Sequence, residues 1–295
     1  MDNILQSCEL CPHRCLVDRT AGDVGICGET DDIRIGASVA HYGEEPALTG
    51  GKPVGNIFVT GCSLSCVYCQ NCQISQQGLG RVVSTEELAE EMLRLQEADC
   101  GAIGWVTPQH QLPGLLQAWD IARKRGMNLP LIYNTNSFER VEILRELDGL
   151  VDIYLADLRY SDDMQAMKYS DAANYVQISR AAVEEMYRQV GAFVEDKRQG
   201  LVIRLLVLPE DIAGLWDTMC FIALELSPKV PISLMSQYRP VYRAKSYPEL
   251  NRRITPEEYR AALKMAEELG FETVYVQELE SEQHMIPDFR KDEPF

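Results

Sequence analysis

Ten cysteines stand in a chain of 295 residues. Three of them, Cys62, Cys66 and Cys69, form a Cys-x3-Cys-x2-Cys run directly after an apolar stretch. Thiolates are the soft ligands that hold iron in iron–sulfur clusters. A cubane of four irons and four sulfides has four iron corners, so three thiolates leave one corner free. An open metal position is what separates a working site from a closed structural one. The run therefore points to a [4Fe–4S] cluster that binds a reactant directly, with a zinc or scaffold site as the plainer alternative. Cys72 makes a further Cys-x2-Cys with Cys69; it is either a fourth ligand that blocks the open corner or a neighbouring thiol with no metal role.

A second group, Cys8, Cys11, Cys15 and Cys27, has the spacing Cys-x2-Cys-x3-Cys-x11-Cys. Four thiolates close a site. Short turns bounded by Pro12, Gly25 and Gly28 keep the chain tight and turn backbone amides toward sulfur. Zinc and an auxiliary iron–sulfur cluster both satisfy this pattern, and His13 could replace one thiolate. Cys100 and Cys220 stand in apolar surroundings and are simplest as small core residues.

These groups need a scaffold. Short apolar runs alternate with helical patterns after residue 50, the signature of parallel sheet covered by helices. Strands are expected at 56–60, 102–107, 130–134, 151–157, 201–208, 231–236 and 273–277. Helices are expected at 84–96, 113–125, 138–147, 172–190 and 213–226, with another opened by Thr255. Ser84 with Glu87, and Thr255 with Glu258, have capping-box spacing, and Pro256 suits a first helical position. Such units suggest a barrel or part of one, with chemistry on loops at the C-terminal strand ends. The cysteine loop follows the first strand, Asn134 to Asn136 end the third, Asp157 to Arg159 the fourth and Gln237 the sixth. The competing role for these polar groups is helix capping. Arg204 lies inside an apolar strand and requires an anionic partner if buried, either a ligand or a structural carboxylate.

With its cysteine spacing and Tyr68 just before the last cysteine, the loop resembles that of the radical S-adenosylmethionine (SAM) superfamily. The stretch Tyr68-Cys69-Gln70-Asn71 is similar to the loop of pyruvate formate-lyase activating enzymes. Downstream, Tyr-Asn-Thr-Asn (133–136), Asp-Ile-Tyr-Leu-Ala-Asp-Leu-Arg (152–159) and Tyr-Arg-Gln-Val-Gly (187–191) resemble a subgroup of activase-like relatives, as do Val-Leu-Pro (207–209), Met-Ser-Gln-Tyr-Arg-Pro (235–240) and Asn-Arg-Arg-Ile-Thr (251–255). The resemblance implies an α/β fold: a partial (β/α)6 barrel resembling a TIM barrel, open on one side and carrying a small N-terminal cysteine-rich metal-binding module. The divisions expected are 1–50 for that module, 51–280 for the barrel and 281–295 for a tail.

The resemblance also implies a reaction. An oxidoreductase of this kind cleaves SAM reductively at a [4Fe–4S] cluster on Cys62, Cys66 and Cys69, giving a 5'-deoxyadenosyl radical that abstracts hydrogen. The cofactor supplies the chemistry while the protein orients it and excludes water, so no general base is assigned. SAM contacts are expected from Tyr68, Asn71, Thr107, Asn134, Asp157, Arg159, Arg204 and Gln237. Asp157 and Arg159 would hold opposite ends of the amino-acid zwitterion. Gly-Trp-Val-Thr-Pro (104–108) replaces the Gly-Gly-Glu-like segment of related enzymes, which leaves the role of Thr107 open. His41 to Glu45, and Gln109 with His110, could shape the substrate side or serve as surface and capping residues. The implied partner is a glycyl radical enzyme, with reduced flavodoxin or a ferredoxin-type protein as electron donor. The extra cysteines precede the cluster loop, whereas activases with extra clusters insert them after it. A small molecule or another protein side chain is therefore a second substrate class, and a non-catalytic metal-bound regulator a third reading.

Composition narrows the field. Hydrophobic content of 46% and aromatic content of 8% fit a globular chain, and the net charge of -17 argues against a nucleic-acid surface. No stretch approaches the roughly 20 apolar residues of a membrane span, and the first residues lack a secretory pattern. Many cysteines without export signals point to metal ligands in a cytoplasmic protein, and an open cluster points to surroundings poor in oxygen.

Overall fold

The computed structural model describes residues 3–278, 286–291 and 293–295. Nine strands form one sheet in the order β3-β1-β2-β4-β5-β6-β7-β8-β9. Seven run parallel in chain order: β2 (Val54–Val59), β4 (Ala102–Val106), β5 (Leu131–Thr135), β6 (Ile153–Asp157), β7 (Gly200–Leu206), β8 (Ile232–Met235) and β9 (Val274–Val276). All seven coincide with expected strands. At the other end, β1 (Ile33–His41) pairs antiparallel with β2 and with β3 (Arg81–Val83). Neither of these two was anticipated, and β1 lies within the stretch 1–50 assigned to the N-terminal module. Among the described residues the sheet ends at β3 and β9 without joining them, so the barrel is partial.

Alternate strand residues point to opposite faces. Ile57, Ile103, Trp105, Tyr133, Tyr154 and Ile203 join the apolar cluster shared with the helices. The intervening set, Val54, Ala102, Ile132, Ile153, Leu155 and Val202, packs with Leu48 and Phe193 into a separate cluster inside the curve. Two residues further along the same face the character changes: Asn56 follows Val54, Asn134 follows Ile132, Asp157 follows Leu155, and Arg204 follows Val202. The barrel thus has an apolar floor and a polar mouth, and the mouth lies at the C-terminal strand ends.

The covering helices are α2 (Thr85–Glu97), α3 (Leu112–Lys124), α4 (Val141–Arg145), α6 (Tyr175–Val190), α7 (Leu215–Phe221) and α8 (Pro256–Glu268), with a short α1 (Cys72–Ser75) in the cysteine loop and α5 (Asp163–Ser170) after β6. Both expected capping boxes form, Ser84 with Glu87 and Thr255 with Glu258. The stretch 172–190 is helical only from Tyr175, because Asp171 and Asn174 adopt left-handed backbone and break it from α5. Buried Tyr175, Ser179, Ala182, Val183 and Met186 recur at helical spacing on α6, each large apolar member contributing about 1.5–3 kcal/mol by burial. Cys100 is in the core as expected, whereas Cys220 is only half-buried, since the buried stripe of α7 runs through Leu215, Thr218 and Met219.

Of the expected tail 281–295, residues 281–285 and 292 lie outside the described residues. Phe289 packs with Phe58 and Ile74. No helix among the described residues is long and apolar enough to cross a membrane.

Candidate active site

The cysteine loop leaves the end of β2 and folds back over the barrel mouth. Gly61 starts it with φ of 80°, left-handed backbone that favours glycine. A Cβ there would lie 2.6 Å from the Cys27 carbonyl oxygen and 2.7 Å from Glu29 Cγ, so the N-terminal segment packs directly on the turn into Cys62. Each loop sulfur meets a donor or hydroxyl. Leu64 N–H and Asn136 Nδ2 donate to Cys62 Sγ at 3.4 and 3.6 Å, Ser170 Oγ donates to Cys66 Sγ at 3.0 Å, and Ser75 Oγ lies 3.2 Å from Cys69 Sγ. Burial pushes the Cys62 thiol up to about 12, with Cys66 adding to it, and pushes Cys69 up to about 11 for the same reasons. Metal binding here must therefore displace protons.

Three thiols on one loop, with N–H and O–H groups aimed at sulfur, fit an iron–sulfur cluster by donor type and number. No three His, Cys, Asp or Glu side chains among the described residues converge closely enough for a single metal ion. A cubane spreads its ligands around eight atoms and does not need that convergence.

Tyr68 is buried, and its hydroxyl lies 2.6 Å from that of Tyr160, which is 2.7 Å from Ser170 Oγ. With Cys66 as a thiolate acceptor the donors can only run in sequence from Tyr68 to Tyr160 to Ser170 to sulfur. The ring of Tyr68 also meets Tyr238 edge to face, with centroids 5.8 Å apart. Gln70 Nε2 donates to the Gln237 carbonyl at 3.0 Å, tying the loop to the end of β8.

All eight expected cofactor contacts line one cavity of about 200 Å3 over the mouth: Tyr68, Asn71, Thr107, Asn134, Asp157, Arg159, Arg204 and Gln237. Cys69 lines it too. Register explains part of the convergence, since Asn134 is beside Val106 and Asp157 beside Arg204. Thr107 sits at φ 52°, a strained conformation for a β-branched residue, held by its N–H bond to the Asn134 carbonyl at 2.7 Å.

Arg159 Nη2 donates to Asp157 Oδ2 at 2.6 Å, while Arg159 Nε is buried without a partner. Burial pushes the Asp157 carboxyl above its ordinary range despite Arg159. The anion expected near Arg204 is a structural pair, Glu44 and Glu45: Arg204 Nε donates to Glu45 Oε1 at 3.0 Å, and Nη2 bonds both carboxylates. Burial works against the Glu44 carboxylate, but Arg204, His41 and the Asn56 amide outweigh it and hold the group below its usual value. Glu44 and Glu45 are thus cavity walls and not surface residues.

At the N-terminus, burial pushes the Cys11 thiol up to about 12, and Cys27, Cys15 and Cys8 add repulsion, as expected of four sulfurs in one neighbourhood. Ile26 N–H donates to Cys15 Sγ at 3.4 Å. His13 Nε2 bonds the Ser63 carbonyl at 2.7 Å, and its ring meets Phe138 edge to face; this histidine braces the cluster loop. Fully buried Arg19 donates to the carbonyls of Thr30 and His110, the latter at 2.6 Å.

Sequence reasoning missed Tyr160, Ser170, Phe295 and Glu139. Phe295 reaches the cavity and lies 4.3 Å from the His41 ring. Glu139, buried and pushed up to about 8 by burial, accepts from Thr135 Oγ1 at 2.5 Å. The one sequence cue was the density of tyrosines at strand ends; Glu139 gave none.

Comparisons agree with this geometry. The family model "Radical SAM superfamily" matches residues 56–221. Two uncharacterized proteins of Methanocaldococcus jannaschii are similar: one is 30% identical, covering 92% of this chain and 78% of its own. The other is 24% identical, covering 94% of this chain and 82% of its own. Among solved structures, a radical SAM methyltransferase from Sphaerobacter thermophilus superposes with a TM-score of 0.52 at 14% identity over 75% of this chain and 65% of that one. Native anSMEcpe with bound AdoMet gives 0.50 at 12% identity over 74% and 61%. This chain spans less than two thirds of either, and at these identities the likeness concerns the fold alone.

Proposed function

Because the chain belongs to the radical SAM superfamily, we propose that it abstracts hydrogen from a glycine of a partner protein, as a glycyl radical activase does. One observation carries the SAM-dependent part: the cluster thiol Cys69 and all eight expected cofactor contacts line a single cavity at the C-terminal ends of the parallel strands. Cys62, Cys66 and Cys69 would hold a [4Fe–4S] cluster, which, given one electron from an external donor, would supply reductive SAM chemistry at this cavity.

The chain's own residues bind and orient. Arg159, with an unused buried Nε–H beside its bond to Asp157, is assigned to the SAM carboxylate, and Asp157 to the ammonium group. Asn134 and Thr107 would serve the ribose and Tyr68 the adenine, while Asn71 and Gln237 border the cavity. Arg204 acts indirectly as a positioning residue by fixing Glu44 and Glu45 in the wall. The apolar floor keeps water from the reacting carbon. Cys8, Cys11, Cys15 and Cys27 are assigned by their spacing to a second metal centre, zinc or an auxiliary cluster; since no three of them converge on a single ion among the described residues, the cluster fits better, and flavodoxin or ferredoxin is the proposed donor. Glycine as the target is supported by the activase-like Tyr68 to Asn71 stretch.

The experiment is anaerobic incubation of reconstituted protein with SAM, reductant and a candidate partner deuterated at glycine. Deuterium in 5'-deoxyadenosine is expected. Absence of 5'-deoxyadenosine with an intact cluster refutes the enzyme reading; its formation without deuterium, together with turnover of a metabolite, refutes glycine as target. Metal analysis with and without the four N-terminal thiols distinguishes zinc from iron there.

A further inference from the structure

β3 pairs only with Ile33–Ile35 of β1, and a register shift between Ile35 and Ala37 follows. From there to His41, β1 is paired on one side only, by β2, among the described residues. An antiparallel residue sends its N–H and C=O to the same side. The Ser38 carbonyl is met at 3.2 Å by Arg94 Nη2 of α2, so Ser38, and with it Ala40, faces away from β2. Apart from that Arg94 contact, no strand among the described residues pairs with this edge, and it is a border of the kind that accepts added strands.

A groove of about 1200 Å3 runs along it, lined by every residue from Ile35 to Gly43 in succession. Leu79, Leu95, Phe289 and Phe295 give it apolar walls, while Arg81 and Glu91 form a charged rim. His41, Gly43 and Phe295 line both this groove and the cavity over the cluster loop, so the two spaces meet there. The cavity, about 200 Å3, is small beside the groove of about 1200 Å3 that opens into it. A substrate larger than its reacting group has this groove to extend into, past His41, Gly43 and Phe295.

We propose that the free edge of β1 binds an extended peptide segment of the protein substrate as an added strand, aligned along the groove so that one residue passes His41 and Phe295 into the cavity. This rests on the reading of the cavity as the SAM site and narrows the substrate to a polypeptide. Main-chain bonds to Ser38 and Ala40 give affinity and the apolar walls receive alternate side chains. A small metabolite would have no use for a strand border.

The test uses reconstituted full-length protein with SAM. Two pools of end-blocked, glycine-centred octapeptides, one unmodified and one N-methylated at every residue so that neither edge can pair, are passed over it and the retained peptides are counted by mass spectrometry. Removing the main-chain donors should lower retention about tenfold or more. Leu79→Glu, in the groove wall and outside the SAM cavity, should lower retention of the unmodified pool similarly while substrate-free SAM cleavage stays unchanged. Equal retention of both pools, undiminished retention by Leu79→Glu, or no retention by either pool overturns the proposal. With SAM cleavage intact, each of those results leaves the SAM reading standing; loss of cleavage in the unaltered protein refutes that reading instead.

Discussion

Arg204→Met removes the only cation that bonds both Glu44 and Glu45 among the described ion pairs. The three side chains are 12%, 10% and 9% exposed respectively, so the two carboxylates would remain buried, adjacent and uncompensated. Breaking a buried pair in this way costs about 3–5 kcal/mol, a large share of the roughly 5–15 kcal/mol that stabilises a typical domain. The pH dependence identifies the cause. In the unaltered protein Glu44 is held below its ordinary value, so it contributes stability above the unfolded-state value near 4.3 and loses it as pH falls. Without Arg204, the largest influence opposing burial is gone and the Glu44 carboxyl rises above the unfolded-state value. The folded variant then takes up protons more readily than the unfolded chain, and its deficit shrinks on acidification. Urea unfolding at about pH 7.5 and about pH 5.5 reads both effects. Adding Glu44→Gln and Glu45→Gln should recover most of the loss. A deficit under about 1 kcal/mol at the higher pH, or one that grows on acidification, refutes the reasoning.

Cys66→Ala should abolish 5'-deoxyadenosine formation under reductant, whereas Cys100→Ala, a core residue 2% exposed, should keep it at a modest cost in stability; chromatographic product assay compares them. Gly61→Val forces a β-branched residue to φ 80° against the Cys27 carbonyl, which should cost at least about 2 kcal/mol in urea unfolding and open the N-terminal segment to protease. Burial lowers His110 from 6.5 to about 4. The unfolded chain therefore binds more protons between these values, and stability should fall as pH drops through that window by roughly 3 kcal/mol. His110→Gln, followed by unfolding titrations at several pH values, should flatten the dependence.

Local signals were legible in the sequence, and non-local ones were not. Ser84 with Glu87 and Thr255 with Glu258 announce helix starts because each box closes within four residues. Parallel strands are visible because burial on both faces requires continuous apolar runs. β1 escaped because Ile33–His41 mixes small and polar residues, and only its pairing with β2 and β3 makes it a strand. The cysteine triplet exposed the cluster loop, yet nothing local tied Arg204 to Glu44 and Glu45 about 160 positions away. The helix expected at 138–147 carried no sign of a buried carboxyl; Glu139 is buried where the Thr135 and Tyr133 hydroxyls donate to it. The strand-end residues share one cavity because barrel geometry sends those positions to a common place whatever their separation in the chain.

Val54, Ala102, Ile132, Ile153 and Val202, stoppered by Leu48 and Phe193, make the barrel a blind vessel. A ligand held at the mouth cannot leave through that floor and must pass the rim or the side groove that meets the cavity at His41, Gly43 and Phe295. A second ligand laid across both openings would hold the first beneath it. Exchange of the deep ligand is then paced by the shallow one.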